Sequence, residues 1–480
     1  MRALNSNTRG SVLVWTVLSV TILSFVAAEV LRAVGSKYQN AIDTALWQEA
    51  LLGAESGVDL AMLELRKSLY PSPNHAWDGW SNTPGNGVVS YGLTTIPNAG
   101  LAGVPMTVET NVDAPAALKD PISGWQYYRV RATGTMALSG PARVNDNKQD
   151  THLRKLSLQF ERFTNGVLSS HAISTPQVAR RVEAIVRPIS QFDQAILAVG
   201  TLNLTDQDII VDSYDSRSSA KSTNGLYDVA KRQENGDIAT DGQILNAGNA
   251  HVYGDVSTNS GTATGVANVT GLQRDDFYYD PIPIPAPSWP SVNASPMLVN
   301  GNATLQGNAT QGSSASRYVL SSVTMSGNEV LTLNGNADGS PSYVDIYITG
   351  DVSVTGNAQI ILKPGVKARV YVAGNFVVAG NGVVNSNQHP GDLLFYGINP
   401  SDNSSRTFQL GGNSLLSAAV YAPAFDVQIN NGGTRGSVYG SFVGKTVTMN
   451  GVTDLHYDEA LSTGGSLGGY KIVSWFEDNR

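Results

Sequence analysis

Hydrophobic and polar positions fall into three textures along the chain, each predicting a different kind of element. Residues 10 to 28, GSVLVWTVLSVTILSFVAA, carry no charged side chain over 19 positions. At about 1.5 Å per residue, a helix of that length spans the ~30 Å hydrocarbon core of a bilayer. No proline occurs before Pro71, and helix formers run on through TALWQEALLGAESGVDLAMLELRKSL, residues 44 to 69. The pattern therefore predicts one helix from Ser11 to Leu69, on the order of 90 Å long, half of it projecting from the membrane. On the projecting half Leu46, Ala50, Gly53, Gly57 and Ala61 recur every three or four residues, which sets small side chains on one face. Gly53, Gly57 and Ala61 are the candidate helix-packing residues. Their partner is either the protein's own globular part or the helix of a neighbouring subunit.

The second texture covers residues 71 to 192 and reads as a small α+β module joined to the stem. Pro71, Pro73, Pro84, Pro97, Pro105, Pro115 and Pro121, with Trp77 and Trp80, predict short elements and irregular structure packed by the tryptophans. WQYYRVRATGTM from Trp125 and LRKLSLQFERF from Leu153 alternate with a period of two, as half-buried strands do. VARRVEAIVR, residues 178 to 187, fits a strand by its β-branched content or a helix by its Ala, Arg and Glu; it is read as a strand, and Pro188 ends it either way.

The third texture begins near Ala195 and extends to about residue 462. Only 15 of residues 281 to 455 are charged, and Gly-Asn pairs recur at 248, 301, 307, 327, 335, 356, 374, 380 and 412. Between them lie apolar runs such as DVSVTG at 351, ARVYVAG at 368, DLLFYG at 392, AAVYAP at 418 and GSVYGSFVG at 436. Their spacing of roughly 18 to 26 residues suits one coil of a right-handed β-solenoid, with Gly or Asn at the corners and asparagines stacked in ladders. A β-sandwich head is the alternative. The Pro281-Ile-Pro-Ile-Pro-Ala-Pro stretch reads as a stiff segment crossing this domain. His456, in HYDEAL, reads as part of a polar and aromatic cap on the last coil. Residues 463 to 480 form a glycine-rich tail whose YKIVSWF run from Tyr470 is able to dock back as a strand.

Composition narrows the function classes. The 480 residues carry a net charge of −8, which argues against a nucleic-acid surface. With no cysteine, disulfides, Cys-ligated zinc, Fe–S clusters and thiol catalysis are excluded. Arg2 and Arg9 precede the apolar run and no basic residue follows until Arg32. The leader, residues 1 to 10, is thereby placed in the cytoplasm and everything after residue 29 outside. Val26-Ala27-Ala28 before Glu29 also forms an acceptable secretory cleavage site, and cleavage there would release a soluble protein.

Candidate chemistry is confined to carboxylates: Asp206, Asp208, Asp212 and Asp215, then Asp237 and Asp241, then Asp275, Asp276 and Asp280. A paired-carboxylate glycosidase needs two acids facing one bond, whereas adjacent Asp275 and Asp276 point to opposite faces of a strand. Solvated loop acids are the expected role, with weak calcium binding second. All six histidines stand isolated in sequence. No catalytic residue, metal ligand or cofactor is assigned.

Arg9-Gly10 before the apolar run, with the AxxAExG-like stretch from Ala50 to Gly57, resembles the PilX-type minor pilins and is similar to the large minor pseudopilin of type II secretion. The resemblance implies processing by a prepilin peptidase after Gly10, a mature N-terminus at Ser11, and partners among other pilin-like subunits at the inner membrane. Major pilins have a glutamate at the fifth mature position, where this chain has Trp15. An amine left unpaired in an apolar bundle is costly, so the expected place is a tip or initiating one. VDSYDS at 211, NGDIATDG at 235, VYAPAFDVQI at 420 and HYDEAL at 456 resemble a β-helical domain that follows such N-termini. The function implied is a non-enzymatic subunit of a type IV pilus or related secretion system. Its head would lie in the periplasm or at the cell surface, for spacing or for adhesion to a surface polysaccharide or host ligand. The alternative from another class is a membrane-anchored or secreted carbohydrate-active β-helix enzyme.

Overall fold

The computed structural model describes residues 9–478 except 84–87, 97–105, 122, 138–176, 205–206, 290–295, 312–314, 380–381, 403, 412–415, 431–435 and 452. A single helix, α1, runs from Arg9 to Lys67 over 59 residues, unbroken through Ala28 and Glu29. Its first half is long and apolar enough to cross a membrane and is exposed among the described residues. Leu46, Ala50, Ala54, Val58, Ala61 and Leu65 are by contrast fully buried. Their spacing of three or four residues puts them on one face of the helix.

That face lies on a six-stranded antiparallel sheet made of β1 (Ser81–Thr83), β2 (Val88–Ile96), β3 (Met106–Asp113), β4 (Tyr128–Ala137), β5 (Gln177–Ser190) and the C-terminal strand Leu467–Asp478. The proline-rich stretch thus holds strands of 9 and 8 residues, longer than expected. Pro71, Pro73, Pro115 and Pro121 fall outside the strands, and Pro84, Pro97 and Pro105 lie outside the described residues. Trp77 and Trp80 pack edge to face at 5.1 Å against the helix–sheet core, as the sequence suggests. β4 and β5 form at the expected places, but β5 continues through Pro188. There β5 pairs only with the C-terminal strand, because its pairing with β4 ends at Val186. The expected strand from Leu153 lies outside the described residues. Residues 467–478 are no loose tail: Tyr470 pairs with Pro188 and Trp475 with Ala184, and this sixth strand covers an edge of β5 that would otherwise stand open.

The helix and sheet meet closely because glycine is present on both sides. A Cβ on Gly134 of β4 would sit 2.0 Å from the Ala50 carbonyl oxygen, and one on Gly57 would sit 2.8 Å from the Ala132 Cβ. Of the two partners the small-residue stripe allows, the structure has the chain's own sheet.

The head is mostly β and built of parallel strands that fold barrel-like around one apolar core. Paired positions along the chain are separated by 18 residues at Asp237 and Asp255, and by 28 at Gln306 and Asn334. The parallel pairing does not fit the antiparallel sandwich. Stacked turns share their corners. The Asp237 carboxylate accepts the Asp255 N–H, the Asp255 carboxylate accepts the Leu272 N–H, and the Asp351 carboxylate accepts the Asn375 N–H, each at 2.7 Å. The expected asparagine stacks occur at Asn203–Asn246, Asn328–Asn357 and Asn430–Asn450.

The order of stacking is not the order of the chain. β6 (Ile196–Leu204) and β7 (Gln207–Tyr214) lie within the stack. They pair on one side with Gly436–Asn450 and Thr453–Asp458, and on the other with Ile238–Thr240, Ile244–Asn246 and Asn249–Val252. From β6 the chain builds outward to Gln273–Arg274, crosses back, resumes at Met297–Val299 and winds toward its own start. The proline stretch makes the crossing as expected. Ile282 and Ile284 are buried, the Tyr421 hydroxyl donates to the Ile282 carbonyl at 3.0 Å, and Trp289 packs on Tyr371 at 6.1 Å. The strap thereby covers tyrosines of successive turns, since Tyr347, Tyr371, Tyr396 and Tyr421 are in register. One expectation falls with this topology: His456 caps no open end, because the strand Thr453–Asp458 is covered by β7.

The stem is joined to the head by Arg66 and Tyr70. Arg66 reaches Asp280 at 2.7 Å, and the Tyr70 hydroxyl donates to the same carboxylate at 2.7 Å.

Candidate functional site

Where the two arms of the head meet, β7 and Thr453–Asp458 bring Asp212 and His456 side by side at register. The Asp212 side chain is fully buried and His456 nearly so. A buried carboxylate needs partners on each oxygen, and Asp212 has both. His456 Nδ1 lies 2.6 Å from Oδ1, and the Tyr227 hydroxyl donates to Oδ2 at 2.7 Å. The Tyr227 ring stacks on the His456 ring at 3.7 Å and 22°, and Tyr439 tilts against the same imidazole at 5.2 Å. The pair lies behind Tyr227 and fixes that ring in place.

In front of this wall is a small hollow of about 120 Å³ that opens to solvent, lined by Tyr214, Leu226, Tyr227, Gln388, Ser417 and Tyr439. Tyr214 belongs to β7 and Ser417 to the strand Leu416–Asn430. Leu226 and Tyr227 come from the loop after β7, which folds over the joint. Gly225 of that loop comes so near His389 that a Cβ there would lie 2.9 Å from its Cε1. Gln388 holds φ at +59°, a conformation that only context sustains in a non-glycine residue. The context is Asn385, whose amide donates to the His389 and Ser417 carbonyls at 2.8 and 2.9 Å.

The Tyr214 and Ser417 hydroxyls are buried, and neither has a hydrogen-bond partner among the described residues. Burial pushes the phenols of Tyr214 and Tyr227 up from their ordinary value. Asp458 and Tyr439 add to this at Tyr214, and the bond to Asp212 adds at Tyr227. Both therefore stay protonated and able to donate. Among the described residues, the ionisable side chains lining the hollow are the phenols of Tyr214, Tyr227 and Tyr439.

The acids singled out in the sequence are dispersed. Asp215 pairs with Arg217 at 2.8 Å, Asp276 with Arg274 at 2.8 Å, and Asp280 with Arg66. Asp237 holds a corner of the stack, and Asp241 accepts the Tyr279 N–H at 2.8 Å. Asp206 and the Asp208 side chain lie outside what is described. No group of three metal-ligating side chains occurs among the described residues. Gly10 and Ser11 fall in the first turn of α1, while Gly53, Gly57 and Ala61 face the sheet.

Of the site residues, the sequence singled out Asp212 and His456, and neither for this role. Tyr214, Tyr227, Gln388, Ser417 and Tyr439 were missed. A signal existed in the phrases VDSYDS, NGDIATDG and HYDEAL, which converge here. Beyond the Asp212–His456 bond, Ser213 Oγ accepts the Asn235 N–H at 2.9 Å, and the Asn235 amide donates to Glu459 at 2.7 Å.

Residues 298–463 match a family model described as a domain of unknown function, DUF7305. No curated protein and no solved structure matches the chain. The matched stretch supplies Gln388, Ser417, Tyr439 and His456, whereas Asp212, Tyr214 and Tyr227 come from the arm outside it.

Proposed function

We propose that this chain is a pilin-type minor subunit, held in the inner membrane by the first half of α1 and carrying an extracytoplasmic head. The observation that carries this is the continuity of α1. One helix has an uncovered apolar half and a half packed on an antiparallel sheet, with no break at Ala28 where secretory cleavage would fall. A cleaved signal has no need to continue as the spine of the following domain. Processing after Gly10 leaves Ser11 as the first residue and keeps the apolar half for contact with other pilin-like helices. The parallel turns and their shared corners favour a β-solenoid head, displayed away from the membrane for spacing or adhesion. No catalytic role is proposed. N-terminal sequencing of the protein from membranes tests the proposal. A start at Ser11 is expected in cells with a prepilin peptidase. A start at Glu29 in a soluble fraction would overturn it.

A further inference from the structure

The geometry points to the open trough beside the proline strap as a binding site for a uronate residue of an acidic polysaccharide. Pro285 and Trp289 of the strap form one side of it, and Arg317, Asp345, Arg369 and Tyr371 form the floor. This gives the adhesion reading of the head a ligand class and rests on that reading, while N-terminal processing is untouched by it.

Arg317, Asp345 and Arg369 stand opposite one another on three successive turns. Asp345 is buried, and Arg369 donates to both of its oxygens, from Nε to Oδ1 at 2.8 Å and from Nη2 to Oδ2 at 2.7 Å. One guanidinium already neutralises that carboxylate. Arg317 Nε approaches the same Oδ2 at 4.0 Å, with its guanidinium carbon 5.3 Å from the centre of the Trp289 ring. The two cations converge on one point. Among the described residues lining the trough, two guanidiniums face one carboxylate, which leaves one positive charge in excess. Charge held at a partly buried site is costly, and a bound carboxylate offsets it through the two-pronged hydrogen bonds that guanidinium geometry favours. Trp289 and Tyr371, nearly perpendicular at 6.1 Å, and the exposed Pro285 offer ring and C–H surface to the body of a sugar. The trough measures about 440 Å³ and opens to solvent, within the roughly 300–1,000 Å³ of small-molecule sites. An internal residue of a polymer can therefore lie in it with its neighbours in water. A peptide fits less well. The strand Ser342–Ile348 in the floor is paired on both edges and offers a peptide no main-chain partners, whereas sugar hydroxyls are satisfied by side chains and water. The walls are also held before a ligand arrives, Arg369 by Asp345 and the strap by buried Ile284 and the Tyr421–Ile282 bond. Little ordering is then left to oppose binding. The chain's net charge of −8 repels a polyanion at long range, but salt at physiological strength screens that beyond about 8 Å, so the arginine pair decides at contact.

The test uses the full-length protein in a detergent without a sugar headgroup. It is titrated with oligogalacturonate and oligomannuronate, with the methyl ester of each, and with oligoglutamate. At least one uronate oligosaccharide is expected to bind, and its methyl ester and the peptide to bind about tenfold more weakly or worse. Arg317→Gln should weaken binding by about tenfold and leave the melting temperature of the head unchanged, because both Asp345 oxygens keep their bonds to Arg369. Ser466→Trp, at an exposed position on the rim, should fill the trough and abolish binding. The inference is overturned if no uronate oligosaccharide binds the folded protein, if the methyl ester or the peptide binds as tightly, or if either variant leaves binding intact. A fall in melting temperature in Arg317→Gln would also overturn it, because the second arginine would then serve Asp345 and not a ligand. The N-terminal sequence of the same preparation reports on the anchor separately, so either reading can fail while the other stands.

Discussion

His456 Nδ1 and Asp212 Oδ1 lie 2.6 Å apart although 244 residues separate them in the chain. The contact closes the head. The arm that leaves β7 and the arm that returns to it pair as strands and meet at this buried hydrogen-bonded pair, on which the Tyr227 ring rests. The pair works as a clamp and is almost wholly buried.

Removing one side of the clamp should therefore cost more than its hydrogen bonds. Asp212→Ala leaves His456 Nδ1 and the Tyr227 hydroxyl without their acceptor, and a loss of about 3–5 kcal/mol is expected, as for other broken buried pairs. Chemical denaturation of the head measures it. A loss below about 1 kcal/mol would show that the arms are held by the strands alone.

The pH dependence should show the mark of Asp193. Burial pushes its carboxyl up to about 6, against the pull of Arg187 and Lys471. The folded state then binds this proton more readily than the unfolded chain. The group's contribution is complete below its ordinary value of 3.8 and is lost as the pH rises through about 6. Asp193→Asn is expected to raise stability at pH 7 by about 1–2 kcal/mol, allowing for solvent screening of a partly exposed side chain. The gain over the wild type should vanish near pH 4, as unfolding curves at the two pH values will show.

Packing of the stem separates two glycines four residues apart. Gly57→Leu drives a side chain against Ala132 and Thr110 of the sheet, whereas Gly53→Leu meets chiefly the flexible end of Met106. Gly57→Leu should destabilise the helix–sheet unit by about 1–3 kcal/mol and Gly53→Leu by less. Hydrogen exchange resolved by segment checks this, with the head between residues 297 and 450 expected to keep its protection.

The strap should be tied most firmly at Tyr421. Tyr421→Phe leaves the Ile282 carbonyl without its donor, at an expected cost of about 1 kcal/mol. Proteolysis near Pro285 and Ala286, both exposed, should be faster in the variant. Equal cleavage rates would mean that the buried Ile282 and Ile284 side chains suffice to hold the strap.

Local physics accounts for what the sequence determined. An uncharged run followed by helix formers without proline specified α1, because a helix satisfies its own hydrogen bonds whatever surrounds it. Alternation at Val130, Ala132 and Val182, Ala184 specified the inner face of the sheet. Recurrent Gly-Asn pairs pointed to repeated turns, and alternating prolines to an extended crossing. Tertiary structure alone decided which segments meet. Nothing local in Tyr470 or Trp475 says that the C-terminal strand completes a sheet begun near residue 81. Nor does anything in HYDEAL say that the last turn is covered by the first. Such pairings are chosen by which open edge remains when the rest of the chain is placed, a property of the whole stack. The hollow depends on that choice. Its walls come from residues 214 to 227 and 388 to 439, whose side chains read in sequence as ordinary strand and loop positions until the two arms close on one another.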